Sequence, residues 1–393
     1  MSDTLNVWLI SGETSGDMYG AEIAAGLRKL AAADRRDIRI SGMGGIRMRE
    51  AGVELLADST ELGVVGVAEV VKHLFTFFAI FRRLVRRAEC DRPDAVVMID
   101  YPGFNLEFAK AMWKRDIPVI WFVSPQVWTW KKYRIFKLEK YCRKMLVIFP
   151  FEVEVYGVTK LDTEFVGHPL LEMVDARRDP AIVRDPDLVL LLPGSRDMEV
   201  SRLLVPMLDS AAELVKRHPN LRFVLTAPRP KIYEKCRVIC ENYRKKHPAS
   251  PEIDVRLGGT AEFQQRATAG IAASGTVTVE SAIAGLPLVV VYKMNLFTIL
   301  LAAVLVKLYR GFFTMVNVIL NREAFEEFIQ YEVKSANIVP ALERILPGGS
   351  RREQVENDMA ELRRELAPGG RNNALECCAE KIYQTLQAEG KAK

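Results

Sequence analysis

The sequence predicts an α/β protein built from two Rossmann-like doubly wound domains facing a cleft, with a helical C-terminus. Three observations carry that expectation. Short β-branched runs ending at Gly, Ser or Asp alternate with helical patterns, one charged, proline-containing stretch interrupts the alternation, and the alternation then restarts. The runs are almost continuously apolar, as are strands of a parallel sheet covered by helices on both faces. A length of 393 residues gives each domain enough chain for its own core.

The first set of strands reads as Leu5 to Ile10, Ile38 to Ile40, Ala95 to Asp100, Val119 to Ser124, Met145 to Phe149 and Glu164 to Gly167. Asp175 to Asp187 (DARRDPAIVRDPD) is the expected linker. Leu188 to Leu192, Arg222 to Thr226, Asp254 to Leu257, Ala269 to Ala273 and Leu288 to Tyr292 follow as strands, and from Arg322 onward the pattern reads as purely helical. The expected division is therefore 1–174, 175–348 and a C-terminal helical segment 349–393. Both halves open alike, LNVWLISGETSGD and LVLLLPGSRDMEV, each a strand, a glycine-containing polar loop and a helix. Open α/β sheets bind ligands at the carboxyl ends of their strands, so the chemistry is expected in the strand-end loops.

Composition narrows the function classes. Apolar residues at 49% and charged residues at 27% exclude wholesale disorder and fibrous repeats. With 55 basic and 50 acidic residues the net charge is only +5, and no nucleic-acid partner is expected. Six cysteines without a CxxC pair give neither a disulfide framework nor a zinc site, which fits a reducing cytoplasm. The N-terminal MSDTLNVWLISGE has no basic segment or long apolar core, so no secretory signal is expected. No run reaches the ~18 apolar residues of a spanning helix. Gly42-Met43-Gly44-Gly45 lacks the spacing and acidic partner of a dinucleotide fingerprint, so no NAD is expected. Asp185-Pro186-Asp187 imitates a metal-binding DxD but precedes its strand and reads as linker, so no metal is expected either.

Six strand ends can carry chemistry. Ser274-Gly275-Thr276 precedes a helix, and its small residues would let backbone N–H groups and the positive helix end approach a phosphate. Glu280, four residues beyond Thr276, shares its helix face and can accept bonds from ribose hydroxyls. Pro193-Gly194-Ser195-Arg196 is a second cradle, in which Arg196 can fork onto a diphosphate; a helix cap and a tight turn with a solvated Arg read equally well. In the first half, Glu13 and Asp17 make the glycine-rich loop Ser11 to Asp17 acidic, which suits sugar hydroxyls or proton transfer better than phosphate. Asp100, before Tyr101-Pro102-Gly103-Phe104-Asn105, is a second carboxylate at the same edge, either an acid/base group or a turn cap. Ser124-Pro125-Gln126-Val127-Trp128-Thr129-Trp130 closes another strand with two tryptophans that can stack on a sugar or pack in the core. His168 stands at a further strand end.

Between Val64 and Phe81, 13 of 18 residues are apolar, and polar positions recur at helical steps. Arg82, Arg83, Arg86 and Arg87 follow. A wide apolar face on Val67, Val70, Val71, Leu74, Phe75 and Phe78 beside such a basic cluster suits the interface of an anionic membrane, at ~1 kcal/mol per basic residue. Phe75, Phe77, Phe78 and Phe81 spread round the helix, too widely for one sheet face to cover all four. A second apolar run, Leu296 to Val306, can lie beside it.

SGETSGD, IDYPGFN, VSPQVWTW, GHP, LLPGSR and SGT followed by VESAIAGLP, in that order from Asn6 to about Asn321, resemble the lipid-A-disaccharide synthase family of GT-B glycosyltransferases. The resemblance implies transfer of 2,3-diacylglucosamine from its UDP derivative to 2,3-diacylglucosamine 1-phosphate, with a β-1,6 disaccharide and UDP as products. It implies no obligatory metal, no cofactor, action at the cytoplasmic face of the bacterial inner membrane, C-terminal helices that return to the first domain, and a domain-exchanged homodimer. Glu13 and Asp17 match the family's acidic loop, Asp100 its strand-end aspartate, and Arg196, Ser274 and Glu280 its UDP-binding residues. Asn317 matches an asparagine that usually follows proline, where this chain has Val316, and Thr129 stands where the family often has alanine. Asp100 or Glu13 is then the base; Ser195, Arg196, Ser274, Gly275, Thr276, Glu280 and Asn317 hold the donor; Asp17, Gln126, Trp128 and His168 line the acceptor side. A UDP-N-acetylglucosamine 2-epimerase-like isomerase and a non-catalytic UDP-sugar-binding membrane protein are the competing readings. An epimerase would have no use for a greasy helix, and a sensor would release no UDP.

Overall fold

The computed structural model describes residues 4–59, 70–128, 133–293 and 311–391, the side chains of 70–75 and 389–391 excepted. They form two compact units, residues 1–169 with 367–393, and residues 170–366.

The first unit is a seven-stranded parallel sheet. Its strands are β1 (Leu5–Ser11), β2 (Ile38–Gly44), β3 (Glu54–Asp58), β4 (Ala95–Ile99), β5 (Val119–Phe122), β6 (Lys144–Val147) and β7 (Asp162–Phe165), in spatial order β3-β2-β1-β4-β5-β6-β7. The first two connections are the helices α1 (Thr14–Ala33) and α2 (Ile46–Glu50). Next come α3 (Val70–Asp91), α4 (Pro102–Trp113), α5 (Arg134–Tyr141) and α6 (Phe151–Tyr156). Successive strand residues point to opposite faces, and both faces are covered. Trp8, Ile10, Met98 and Trp121 pack with Phe104 and Phe108 of α4 on one side. Leu9, Val97, Ile99 and Phe122 pack with Ile23 and Leu27 of α1 on the other. At ~1.5 to 3 kcal/mol for each large side chain removed from water, these two layers dominate the unit's stability.

The second unit is a six-stranded parallel sheet. Here β8 (Asp185–Leu192), β9 (Arg222–Ala227), β10 (Ile253–Leu257), β11 (Ala267–Ala273), β12 (Leu288–Tyr292) and β13 (Glu327–Ile329) take the order β10-β9-β8-β11-β12-β13. They alternate with α7 (Leu170–Ala176), α8 (Asp197–Arg217), α9 (Pro230–Lys246), α10 (Thr260–Arg266), α11 (Thr276–Ile283) and α12 (Met315–Leu320). The helices α13 (Ser335–Ile345) and α14 (Arg352–Glu365) complete the unit. The all-buried strand β11 leaves no room at Gly270, where a Cβ would stand 2.8 Å from the Leu190 carbonyl oxygen. In both sheets the strand order reverses beside the first strand, between β1 and β4 and between β8 and β11. Helices diverge there and leave the backbone ends open.

Several expectations are corrected. β3 is a strand the pattern missed, because its polar Glu54 and Asp58 and edge position break the apolar run. The chain after Arg322 is not purely helical, since β13 adds a three-residue edge strand to β12. Unit two begins at Leu170 and runs through α14, later than the expected 349; Arg363 of α14 ties back to Asp175 of α7 at 2.8 Å. Residues 367–393, with α15 (Ala374–Lys391), do return to the first unit, where α15 packs on α1 and Tyr383 donates to Asp34 at 3.0 Å. Asp185-Pro186-Asp187 is the start of β8 instead of linker, with the Asp185 carboxylate bonded to Arg222.

The basic amphipathic helix divides differently from the expectation. Phe77 and Phe81 meet Phe104 edge-on at 5.1 and 5.7 Å, so half of the aromatic set belongs to the core, with Ile80, Leu84 and Ala88. Phe78 is 50% exposed, and Arg82, Arg83, Arg86 and Arg87 all face solvent, Arg87 paired with Asp91. Val67 and the run Leu296 to Val306 lie outside the described residues, as do the side chains of Val70, Val71, Leu74 and Phe75. Among the described residues no helix is long and apolar enough to cross a membrane.

Candidate active site

At the first switch point, the loops after β1 and β4 are held against each other. Gly12 is required there: a Cβ on it would stand 2.2 Å from Cδ1 of Tyr101. Glu13 is the exposed N-cap of α1, and Ser11 Oγ donates to its carbonyl at 3.2 Å. Asp100 and Tyr101 leave β4 in the left-handed region, φ 47° and 49°, a conformation costing of order 1 to 3 kcal/mol that concentrates at functional sites. Burial, with the charge of Glu13 adding to it, pushes the Asp100 carboxyl up to about 6, while the backbone N–H of Tyr101 opposes the shift. This suits a general base near neutral pH, because it binds a proton more tightly than an ordinary carboxylate yet is ionised at pH 7. Asn105 donates to the Asp100 carbonyl at 2.7 Å and steadies the turn, and the N-cap of α4 is Tyr101, with no side-chain capping bond, so the Asp100 carboxylate does not serve as the helix cap.

At the second switch point a pocket of about 370 Å³ is lined by Ser195, Arg196, Ser274, Gly275, Thr276 and Glu280, together with Glu199, Thr226 and Thr260. The loop after β11 is open: Gly275 and Thr276 are exposed at the start of α11, and a Cβ on Gly275 would meet nothing within 4 Å. The first-turn N–H groups of α11 and its dipole therefore face an uncrowded pocket, a ready anion site. Burial raises the Glu280 carboxyl above its ordinary value, and Arg177 opposes the rise.

The other expected cradle differs. Glu199 accepts the backbone N–H groups of Ser195 and Arg196 at 3.0 and 3.1 Å, so these amides are already satisfied. The same carboxylate pairs with the Arg196 guanidinium at 3.1 Å, and Arg196 remains 80% exposed, poised over the pocket. Arg229 fixes the loop from the far side by donating to the Ser195 carbonyl at 2.7 Å. Neither Glu199 nor Arg229 was among the expected residues; Glu at the third helical position of α8 was the legible signal for the first.

Three expected site residues have structural partners instead. Asp17 is 5% exposed, and its carboxylate accepts the N–H groups of Gly45, Arg47 and Met48, capping α2. Trp128 is buried edge-on against Phe151 at 5.3 Å, so its ring is core and not a sugar platform. Asn317 is fully buried: it donates to Phe325 and Glu327 at 2.7 Å and accepts from Ala324 and Phe325 at 2.9 Å. It joins α12 to β13 and does not line the pocket. His168 is buried beside the Phe149 ring, and burial lowers it to about 3, which keeps it neutral. Gln126 is exposed. Thr129 and Trp130 lie outside the described residues.

A family model described as Lipid-A-disaccharide synthetase matches residues 7–382. The chain belongs to this family. Curated lipid-A-disaccharide synthases resemble it end to end: the protein from Koribacter versatilis is 35% identical over 98% of this chain and 99% of its own length. The one from Coxiella burnetii is 34% identical over 97% and 98%. Among solved structures, a putative UDP-N-acetylglucosamine 2-epimerase from Listeria monocytogenes superposes with TM-score 0.64 at 12% identity, covering 99% of this chain and 98% of that one. The glycotransferase of kitacinnamycin gives 0.60 at 16%, covering 96% and 98%. At these identities the likeness is one of fold, and this lipid-A-disaccharide synthetase family member has the GT-B class of two parallel sheets flanked by helices.

Proposed function

We propose that the chain is an inverting glycosyltransferase that moves 2,3-diacylglucosamine from its UDP derivative to 2,3-diacylglucosamine 1-phosphate, forming the β-1,6 disaccharide and releasing UDP. End-to-end similarity to lipid-A-disaccharide synthases carries the reading, and the two switch-point sites supply residues for it. The Asp100 carboxylate takes the proton of the acceptor 6-hydroxyl as that oxygen attacks the donor's anomeric carbon. The bond from that carbon to the diphosphate breaks, and the charge left on UDP is met by the start of α11 and by Arg196. Glu13 sets the basicity of Asp100 through its charge. Ser274, Gly275 and Thr276 hold the phosphates, and Glu280 the ribose.

Both substrates carry acyl chains, and the exposed Phe78 and Arg82, Arg83, Arg86 and Arg87 of α3 support a peripheral position on an anionic membrane surface. In a domain-exchanged homodimer, the packing of α15 on α1 is the contact that would pass between protomers. Incubation of the purified protein with both diacyl sugars tests the reaction: UDP and disaccharide should appear in equal amounts. UDP-sugar epimerised without acceptor, or bound without turnover, would overturn the transferase reading.

A further inference from the structure

The second unit holds another cavity, of about 330 Å³, among α7, the end of α11 and α14. Arginines on its wall bond the carbonyls of Ala267 and Thr268, where β11 starts, whereas Ser274 of the nucleotide pocket follows the last residue of that strand. At ~3.3 Å per strand residue the two cavities lie ~20 Å apart. Four guanidinium groups line this one, those of Arg178, Arg184, Arg352 and Arg363, with only two carboxylates, Asp175 and Glu356. None of the six takes part in the transfer mechanism.

Two of the arginines have counter-charges. Arg363 donates to both carboxylate oxygens of Asp175 at 2.8 Å, and Nε of Arg352 donates to Glu356 at 2.5 Å. Their other bonds go to main-chain carbonyls: Arg363 holds Ile283 at 2.8 Å, and Arg352 holds Thr268 and Ile345 at 2.7 and 2.9 Å. Arg184 is half-buried and bonds carbonyls alone, those of Ala267 and Ala284. A carbonyl oxygen satisfies a donor without cancelling its charge, and a charge drawn out of water without a counter-ion is costly. Burial, with the charge of Arg352 adding to it, accordingly lowers the Arg184 guanidinium from its usual value, while Glu356 opposes the shift. Arg178 is exposed, and its side chain makes no bond among the described residues.

We infer that this cavity is a second anion site, which takes a phosphate group on Arg178 and on the unused donors of Arg184, Arg352 and Arg363. Among the described residues Nη2 of Arg352 and Nε of Arg184 and of Arg363 have no acceptor. Four guanidiniums against two carboxylates leave an excess of two positive charges, which matches the roughly −1.5 to −2 of a phosphate group at neutral pH. Planar guanidiniums also match phosphate oxygens in pairs. Three of them are already fixed by main-chain bonds, so little ordering is lost when the anion arrives. The inference shares no residue with the transferase reading and does not depend on it.

Calorimetric titration of the full chain with inorganic phosphate tests the site. Binding should be saturable, and Arg178→Ala should weaken it at least about tenfold. Glu356→Gln removes a negative charge from the cavity and should tighten it about threefold or more. Both side chains are exposed, and the Glu356–Arg352 pair is a surface pair one helical turn apart, so neither change threatens the fold. Arg196→Ala, at the nucleotide pocket, should leave phosphate binding unchanged. Absence of saturable binding, equal affinity in wild type and R178A, or weaker binding in E356Q would each overturn the inference. Loss of binding in R196A with retention in R178A would put the phosphate in the nucleotide pocket and overturn it equally. Flotation of wild type and R178A with phosphatidic-acid vesicles then separates the two sources of such a group. Equal flotation assigns the site to a soluble phosphate compound, and weaker flotation of R178A assigns it to a lipid headgroup.

Discussion

The ring of Tyr101 lies flat against the backbone of Gly12, and through that contact the loop carrying Asp100 is registered on the loop carrying Glu13. Any side chain at position 12 must displace the ring. Gly12→Ala should destabilise the first unit by the ~1 to 3 kcal/mol of an overpacking substitution and lower turnover, with UDP affinity in the second unit unaltered. Thermal melting and calorimetric titration with UDP check both parts.

The same neighbourhood sets a pH dependence. With Asp100 at about 6, kcat/KM should fall on the acid side with an apparent pKa near that value, and Asp100→Asn should lose ~10²-fold in turnover with donor binding intact. Because the charge of Glu13 raises Asp100, Glu13→Gln should move the limb to lower pH. The sign for stability runs the other way from an ordinary salt-bridged aspartate. The folded state holds this proton more tightly than the unfolded chain, so stability declines as pH rises from about 4 through 6, and D100N should remove the decline. A pH-rate profile unchanged by E13Q would contradict the coupling.

At the nucleotide pocket, Arg196→Ala removes charge-assisted bonds worth ~1.5 to 3 kcal/mol each, so UDP affinity should fall at least about tenfold. Glu199→Ala should also weaken UDP binding, although Glu199 is negatively charged, because it frees the Ser195 and Arg196 amides and the guanidinium it now orients. Tighter binding in E199A would show instead that its charge merely repels the diphosphate.

Opposite faces of α3 should respond oppositely. Replacing Phe78, Arg82, Arg83 and Arg86 by Ser should release the protein from anionic vesicles and leave its circular dichroism spectrum unchanged, since these side chains are exposed. Replacing Phe77 and Phe81 by Ser should unfold the first unit, because each packs on Phe104 and such core truncations cost ~3 to 5 kcal/mol. Vesicle flotation of a folded outward-face variant at the wild-type level would exclude this helix as the main anchor.

Asn317→Leu should cost about 1 to 3 kcal/mol for each N–H it orphans, at Ala324 and Phe325, and loosen β13 before it affects UDP affinity. Loss of UDP binding at unchanged melting temperature would instead return Asn317 to the donor site.

What the sequence determined by itself was whatever local pattern encodes. Apolar runs such as Leu188 to Leu192 and Ala269 to Ala273 read as buried parallel strands, and small or acidic residues straight after them mark the functional edge, so Glu13, Asp100, Arg196 and Ser274 to Glu280 were legible as candidates. The polar edge strand β3 and the three-residue β13 carry too little pattern to be read. Only the tertiary structure decided which polar side chains remain open to a ligand. Asp17 and Gly45 are 28 residues apart in sequence, Asn317 and Phe325 are eight apart, and Trp128 after β5 reaches Phe151 after the neighbouring strand β6. A carboxylate, an amide or an indole looks the same in sequence whether a substrate or a distant backbone N–H satisfies it. The obligation to pair every buried polar group is settled by packing, after the strands have been brought together.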